Sequence, residues 1–98
     1  MDERLSGEDL ARIEALATSA LTAPWEAFVD GRDHWGGDDF IRTGGLDDAA
    51  PDMYVTLSYW DNERPKPAPA EVLDFIAAAR QDVPRLVSEI RRLRTESS

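Results

Sequence analysis

Apolar side chains recur at helical spacing in the C-terminal third of the chain. Five of them stand at i, i+3, i+4, i+7 and i+10, the spacing that puts side chains on one stripe of an α-helix. They are Val83, Leu86, Val87, Ile90 and Leu93. Pro84 interrupts the stripe, because proline has no amide proton to donate to the carbonyl four residues before it. We therefore expect either one bent helix between residues 70 and 94, or two helical pieces with Asp82 capping the second.

The N-terminal segment carries the signals of a first helix. Ser6 is a favourable N-cap, and Asp9 three residues later completes an approximate capping box. Apolar residues then line one face of the segment: Leu10, Ile13, Leu16, Ala17, Ala20 and Leu21. The helix is expected to stop before Pro24, since the residue that precedes a proline is pushed out of the helical region.

Three segments between the helices have the composition or the alternation of β-strands. Residues 25–29 and 40–43 are rich in aromatic and β-branched types, and residues 53–60 alternate cleanly. The face of the third strand that is expected to meet the helices holds Met53, Val55, Leu57 and Tyr59. Its other, half-polar face holds Tyr54, Thr56, Ser58 and Trp60. Residues 61–69 contain Pro65, Pro67 and Pro69, which predict an extended surface linker without ladder pairing.

Together these elements predict one α+β domain over residues 1–98. An N-terminal helix precedes a three-stranded antiparallel sheet, and a C-terminal bent helix or helix pair packs on one face of that sheet. A doubly wound parallel sheet would need strands and helices in alternation, which this element order does not supply.

Charge narrows the classes of partner. The net charge is −9, and residues 1–50 hold 12 acidic and 4 basic side chains, whereas residues 51–98 hold 8 and 7. Neutralising phosphates requires a positive face, so we expect no direct nucleic-acid binding. An acidic front of this kind fits a basic protein partner. The basic closing helix fits attraction to the acidic front within the chain, or contact with an acidic partner or a second copy.

Composition also indicates the compartment. There is no cysteine, which excludes disulfides, thiolate metal sites and cysteine nucleophiles. The sequence shows no signal peptide and no apolar run near the ~20 residues that span a bilayer. We therefore expect a cytoplasmic protein without membrane association.

One stretch has a familiar appearance. The sequence DFIAAARQDVP at residues 74–84, followed by Leu86 and by EIRRLR at residues 89–94, resembles the C-terminal signature of Ead-like small phage-related proteins and of short uncharacterised actinobacterial proteins. The segment Pro24-Trp25-Glu26 is similar to the one that those proteins place after an N-terminal helix. The clear match covers about a fifth of the chain. The resemblance implies a small accessory protein of mobile elements or their hosts, and it carries over no catalytic residues.

The candidate chemistry lies in an acidic loop around a single histidine. A histidine near carboxylates can act as a general base or join them around a divalent ion. However, the loop lacks the ligand register of an EF-hand, and one histidine is too few for a zinc site. We therefore predict no catalytic, cofactor or metal site. We predict instead a partner-binding surface of carboxylates and aromatic rings: Asp30, Asp33, His34, Trp35, Asp38, Asp39, Tyr54 and Trp60.

Three functional hypotheses follow. The first is a non-catalytic binding protein that presents acidic loops and aromatic side chains to a protein partner; an immunity or inhibitor protein that blocks a toxin or nuclease is its sharpest version. The alternative is a homo-oligomeric structural module, such as a homodimer, joined through the C-terminal stripe or the sheet. The second alternative is a small enzyme or metal protein centred on His34.

Overall fold

The first helix begins where its capping signals predict. The computed structural model describes residues 4–60 and 64–96, and α1 spans Gly7–Ser19. The Ser6 hydroxyl accepts a hydrogen bond from the Asp9 amide, and the Asp9 carboxylate accepts one from the Ser6 amide, each over 2.9 Å. This reciprocal pair satisfies two backbone donors that the start of a helix otherwise leaves open. The capping box is therefore confirmed, and α1 ends before Pro24 as expected.

Three short strands form the predicted antiparallel sheet. They are β1 (Glu26–Phe28), β2 (Phe40–Arg42) and β3 (Asp52–Met53), in the order β1-β2-β3. Ile41 of β2 lies opposite Ala27 on one side and Met53 on the other, and it is fully buried. Since side chains alternate along a strand, Phe40 and Arg42 point away from this core side. The sheet therefore has an inner face at Ile41 and an outer face at Phe40 and Arg42.

The prediction of one strand over residues 53–60 is wrong. The segment divides between β3 and β4 (Thr56–Leu57), which belongs to a second, two-stranded sheet. The inward face nevertheless holds for Met53, Val55 and Leu57, which pack against the core. Tyr59 does not follow them and is exposed.

The proline-rich linker also departs from the prediction. Lys66–Pro67 forms β5, which pairs antiparallel with β4, so the expectation of no ladder pairing is wrong there. An edge strand tolerates proline where the missing amide would face away from its neighbour, and the next residue donates instead. The Ala68 amide binds the Val55 carbonyl at 2.8 Å. The part of the linker at residues 61–63 lies outside the described residues.

A single helix closes the chain. α2 spans Ala70–Glu96 with Pro84 inside it, so of the two predicted forms the structure has the single helix and not the helix pair. Asp82 does not cap a new helix; its carboxylate binds Arg85 at 3.2 Å. Proline removes one hydrogen bond from the helix, but buried residues on both sides of it, Ala77 and Val87, hold the two halves in place.

The core divides along α2. Its first half packs on the inner face of the sheet, where the buried cluster comprises Ile41, Ala68, Leu73 and Ala77. Its second half lies against α1, where Leu10 and Val87 are both buried. The two helices run antiparallel, because Arg91 binds Glu14 whereas Arg80 binds the carbonyl of Leu21. The C-terminal stripe is only partly covered, since Leu86 and Leu93 are exposed. In the described residues, no helix is both long and apolar enough to cross a bilayer.

Candidate functional site

The acidic segment lies in the long loop that joins β1 to β2. The two strands pair so that Phe28 faces Phe40, which leaves residues 29–39 to make the reversal. Gly31, Gly36 and Gly37 in this loop have positive φ angles of 82°, 85° and 108°. Such angles are open to glycine at little steric cost, so these glycines let the loop fold back on itself.

The loop carboxylates bind the backbone of the loop. Asp33 accepts a hydrogen bond from the Val29 amide at 2.9 Å. Asp39 accepts one from the Asp30 amide at 2.7 Å, and Asp30 accepts one from the Gly36 amide at 2.8 Å. Three of the predicted partner-binding carboxylates, those of Asp30, Asp33 and Asp39, therefore also fix the shape of the loop. Asp38 is exposed, and its carboxylate makes no hydrogen bond among the described residues.

Arg32 fastens the loop to α2. Its guanidinium makes two hydrogen bonds to the Asp74 carboxylate, each 2.9 Å long, and a third to Asp33 at 2.8 Å. The Val29 amide, reinforced by Arg32, holds the pKa of Asp33 below its ordinary value of 3.8. The hydrogen bonds from Arg32 likewise lower the pKa of Asp74 and, together with Asp33, raise the pKa of Arg32. All three side chains are substantially exposed, so the contribution of this cluster is mainly positional.

Aromatic rings continue the site across the outer face of the sheet. Phe28 and Phe40 stack with centroids 5.3 Å apart and planes 8° from parallel. The Arg42 guanidinium lies 4.5 Å above the Phe28 ring, and Tyr54 meets Phe40 at 5.8 Å. Stacked rings and a cation over a ring attract each other beyond simple burial. We call the set Arg42, Phe28, Phe40 and Tyr54 the aromatic row.

His34 lies between the loop and this row. Its ring is half-buried and sits 5.5 Å from Phe40, tilted by 53°. Its Nε2 atom is buried and has no hydrogen-bond partner among the described residues. The backbone carbonyl of His34 accepts a hydrogen bond from the Gly31 amide at 2.8 Å. The His34 side chain thus packs against Phe40 of the aromatic row.

The predicted surface is only partly contiguous. The loop brings together Asp30, Asp33, His34 and Asp39, and Tyr54 joins them through Phe40. Trp35, Tyr54 and Trp60 expose 78%, 60% and 95% of their surface. Trp35 is carried by the loop itself, whereas Trp60 follows β4 of the other sheet, and no ring contact links it to the aromatic row among the described residues.

Sequence reasoning missed the residues that organise this face. The sequence pattern predicts strands for Phe28, Phe40 and Arg42, but no role in a site. The sequence does contain a signal. Closing a hairpin around residues 29–39 pairs Phe28 with Phe40, and alternation then puts both rings on the face of the sheet that points away from Ile41.

An acidic pocket adjoins the aromatic row at Arg42. It has a volume of about 200 Å³ and is lined in part by Leu46, Asp47, Asp48 and Asp52. Asp47 accepts a hydrogen bond from the Ala49 amide at 3.0 Å, and Asp52 lies across from Arg42 in the sheet. The acidic surface therefore extends from the β1–β2 loop to the β2–β3 loop. The arrangement offers flat rings for stacking and carboxylates for basic groups.

Within the described residues, no three histidine, aspartate or glutamate side chains converge as a metal site would need.

Comparison with known proteins supplies no relative of this chain. The resemblance of residues 74–94 to Ead-like proteins stays a prediction. No family model, no curated protein and no solved structure matches the chain.

Proposed function

We propose that the protein is a non-catalytic binding protein whose outer sheet face and acidic loops meet a basic protein partner. An immunity or inhibitor protein that blocks a toxin or nuclease is the sharpest form of this proposal. The observation that carries it is Trp35, a 78% exposed aromatic side chain on a loop with four aspartates. Tryptophan is enriched among the residues that dominate binding energy, and an exposed tryptophan beside carboxylates suits a partner with basic and apolar groups.

The internal bonding of the loop supports this role. Ordering a flexible loop on binding costs about 0.5–1.5 kcal/mol for each immobilised side chain. Here the carboxylates of Asp30, Asp33 and Asp39 already hold the backbone, and Arg32 ties the loop to α2. Trp35 is thus presented on a preorganised loop, which reduces the entropy lost when a partner binds.

The same bonding divides the predicted contact residues by role. Asp30, Asp33 and Asp39 shape the loop, so charge reversal at these positions would disturb folding and binding together. Asp38 is free of such bonds in the described residues, and it follows Trp35 by three positions in the same loop. Trp35 and Asp38 are therefore the residues at which contact with a partner can be tested without remodelling the loop.

Site-specific photocrosslinking in the native cells identifies the partner. A photoreactive phenylalanine analogue at position 35 is expected to capture a basic protein. The matched control carries the analogue at Leu86, which is also exposed but lies 12 residues along α2 from Asp74, or about 18 Å. Equal capture of the same protein from both positions would count against the proposal.

Titration of the captured and purified protein then tests the residues. Trp35→Ala is expected to weaken binding at least about 30-fold, the effect of a hot-spot residue. Asp38→Lys is expected to slow association, most strongly at low salt. Asp82→Lys makes the same charge reversal on α2 and serves as the control. Binding that both loop variants leave unchanged contradicts the proposal.

A further inference from the structure

The chain exposes more surface than a compact domain of its mass. Its accessible surface is 7323 Å², whereas a compact monomer of 10.9 kDa exposes about 5,600 Å². Its radius of gyration is 17.1 Å, against about 13 Å for a compact domain of similar length. The excess of roughly 1,700 Å² is about twice the 800 Å² that each partner buries in a standard interface. The chain therefore exposes enough surface beyond that of a compact domain for a second copy to bury an interface of standard size.

The most apolar part of this surface is a groove between α1 and α2. The groove has a volume of about 410 Å³, and its lining includes Leu16, Ala17, Ala20, Phe75, Ala79 and Val83. Phe75 and Leu16 leave 74% and 64% of their surface exposed. Arg80 is the one charged residue of the lining in the described chain, and its Nε donates to the Leu21 carbonyl. An occupant of this groove must therefore be apolar.

The groove is complementary to itself. It carries two large projecting side chains, Phe75 and Leu16, and a floor of small ones, Ala17, Ala20 and Ala79. A two-fold axis brings the same patch of each copy together, so the projections of one copy meet the floor of the other. Because α1 and α2 are antiparallel, two such pairs packed face to face make a four-helix arrangement, a common way to bury apolar helix faces.

We propose that a second copy of this chain occupies the α1–α2 groove, with Phe75 of each protomer packed on the alanine floor of the other. The groove shares Val83 with the C-terminal stripe but none of the other stripe residues, and the contact leaves the outer face of the sheet free. This inference is independent of the proposed function, since neither Trp35 nor Asp38 lies in the groove.

Sedimentation velocity across micromolar concentrations tests the contact. The wild type is expected to reach twice 10.9 kDa, and Phe75→Glu is expected to weaken dimerisation at least about 30-fold. Leu16→Glu should do the same, and it keeps the test valid if the first variant fails to fold. Leu86→Glu puts the same charge on an exposed leucine of α2 outside the groove, and this control should leave the dimer intact. Circular dichroism verifies that each variant keeps its helices.

Salt separates this proposal from the proposed function. Two copies of a chain with a charge of −9 repel each other, so added salt should strengthen the dimer, whereas it should weaken binding of a basic partner. Phe75→Glu should still bind the partner captured at Trp35, and Trp35→Ala should still dimerise. A wild type that stays monomeric overturns the inference, as does a dimer that Leu86→Glu disrupts but Phe75→Glu and Leu16→Glu do not.

Discussion

Replacing Gln81 by methionine is expected to loosen the junction between α2 and the start of β1. The Gln81 side chain binds both backbone groups of Trp25: its Oε1 accepts from the Trp25 amide at 2.8 Å, and its Nε2 donates to the Trp25 carbonyl at 3.1 Å. Nε2 also donates to the Ala77 carbonyl within α2 at 3.0 Å. Methionine keeps the length and the helix propensity of glutamine but offers none of these bonds.

The expected loss is about 2 kcal/mol of unfolding free energy. Each hydrogen bond to Trp25 contributes about 0.5–1.5 kcal/mol net, and a backbone group left without a partner adds a desolvation penalty. The site is half-buried, so water can replace part of what is lost. A loss of this size is a large part of the total stability of a domain, which is about 5–15 kcal/mol. For a domain of this length it lowers the Tm by roughly 8–16 °C.

Urea unfolding, followed by tryptophan fluorescence and circular dichroism at one fixed protein concentration, measures this loss. Arg85→Met is the matched control, because it makes the same methionine substitution at an exposed position of α2 and should change stability by less than about 0.5 kcal/mol. Hydrogen exchange at the Trp25 amide gives a local readout and should accelerate in the Gln81 variant. A Gln81→Met protein that loses less than about 0.5 kcal/mol and keeps its Trp25 amide protected would refute the reasoning.

Three further substitutions test other parts of the fold. Thr43→Val keeps the shape of a buried side chain but removes its 2.6 Å hydrogen bond to the Pro51 carbonyl, so urea unfolding should show a loss of about 1–2 kcal/mol; unchanged stability would contradict it. Asp74→Asn should destabilise at pH 7, because Arg32 lowers the folded pKa of Asp74 and that contribution is present above the unfolded pKa; the gap between wild type and variant should close as pH falls below about 4, and a gap that persists in acid would argue against the Arg32 contact. Ser6→Ala should cost about 1 kcal/mol and speed hydrogen exchange at the Asp9 amide, whereas Ser88→Ala on the exposed side of α2 should do neither.

The sequence predicts the faces of the elements better than their pairing. Met53, Val55 and Leu57 all pack on the core as their alternation indicates, yet the ladder partner changes from β2 to β5 between the first and the last of them. Alternation depends on which face is buried, and that face is shared by the two small sheets. Strand pairing depends on where the linker runs back along β4. The prolines around Lys66 argue against a strand there, so the sequence does not predict the pairing of β4 with β5.

The continuity of α2 has a similar explanation. A local reading of Pro84 predicts a break or a bend, because it considers only the lost hydrogen bond and the clash of the ring. In the fold, Leu73 and Ala77 are held by the sheet, and Val87 is held against α1. Tertiary packing on both sides of the proline thus favours a single helix over two.

At the candidate site, composition predicts the acidic loop but not which carboxylates bind its backbone. Clustered aspartates next to tryptophan indicate an acidic surface whatever their geometry. The hydrogen bonds from Gly36 to Asp30 and from Asp30 to Asp39 depend on the left-handed glycines that fold the loop back. Residue spacing does not predict these hydrogen bonds, so only the structure separates the loop-shaping carboxylates from Asp38.

A charge of −9 and a self-associating groove are compatible, because the lining of the groove contains no carboxylate in the part of the chain that the structure describes. The aromatic row lies on the outer face of the sheet, whereas the groove lies between α1 and α2, and α2 packs on the inner face. Carboxylates elsewhere on the chain oppose pairing through the net charge of each copy, and added salt screens that repulsion. A dimer formed in this way presents two acidic faces, and a partner with two basic sites, or an oligomeric one, would bind it with avidity that a Phe75→Glu monomer loses.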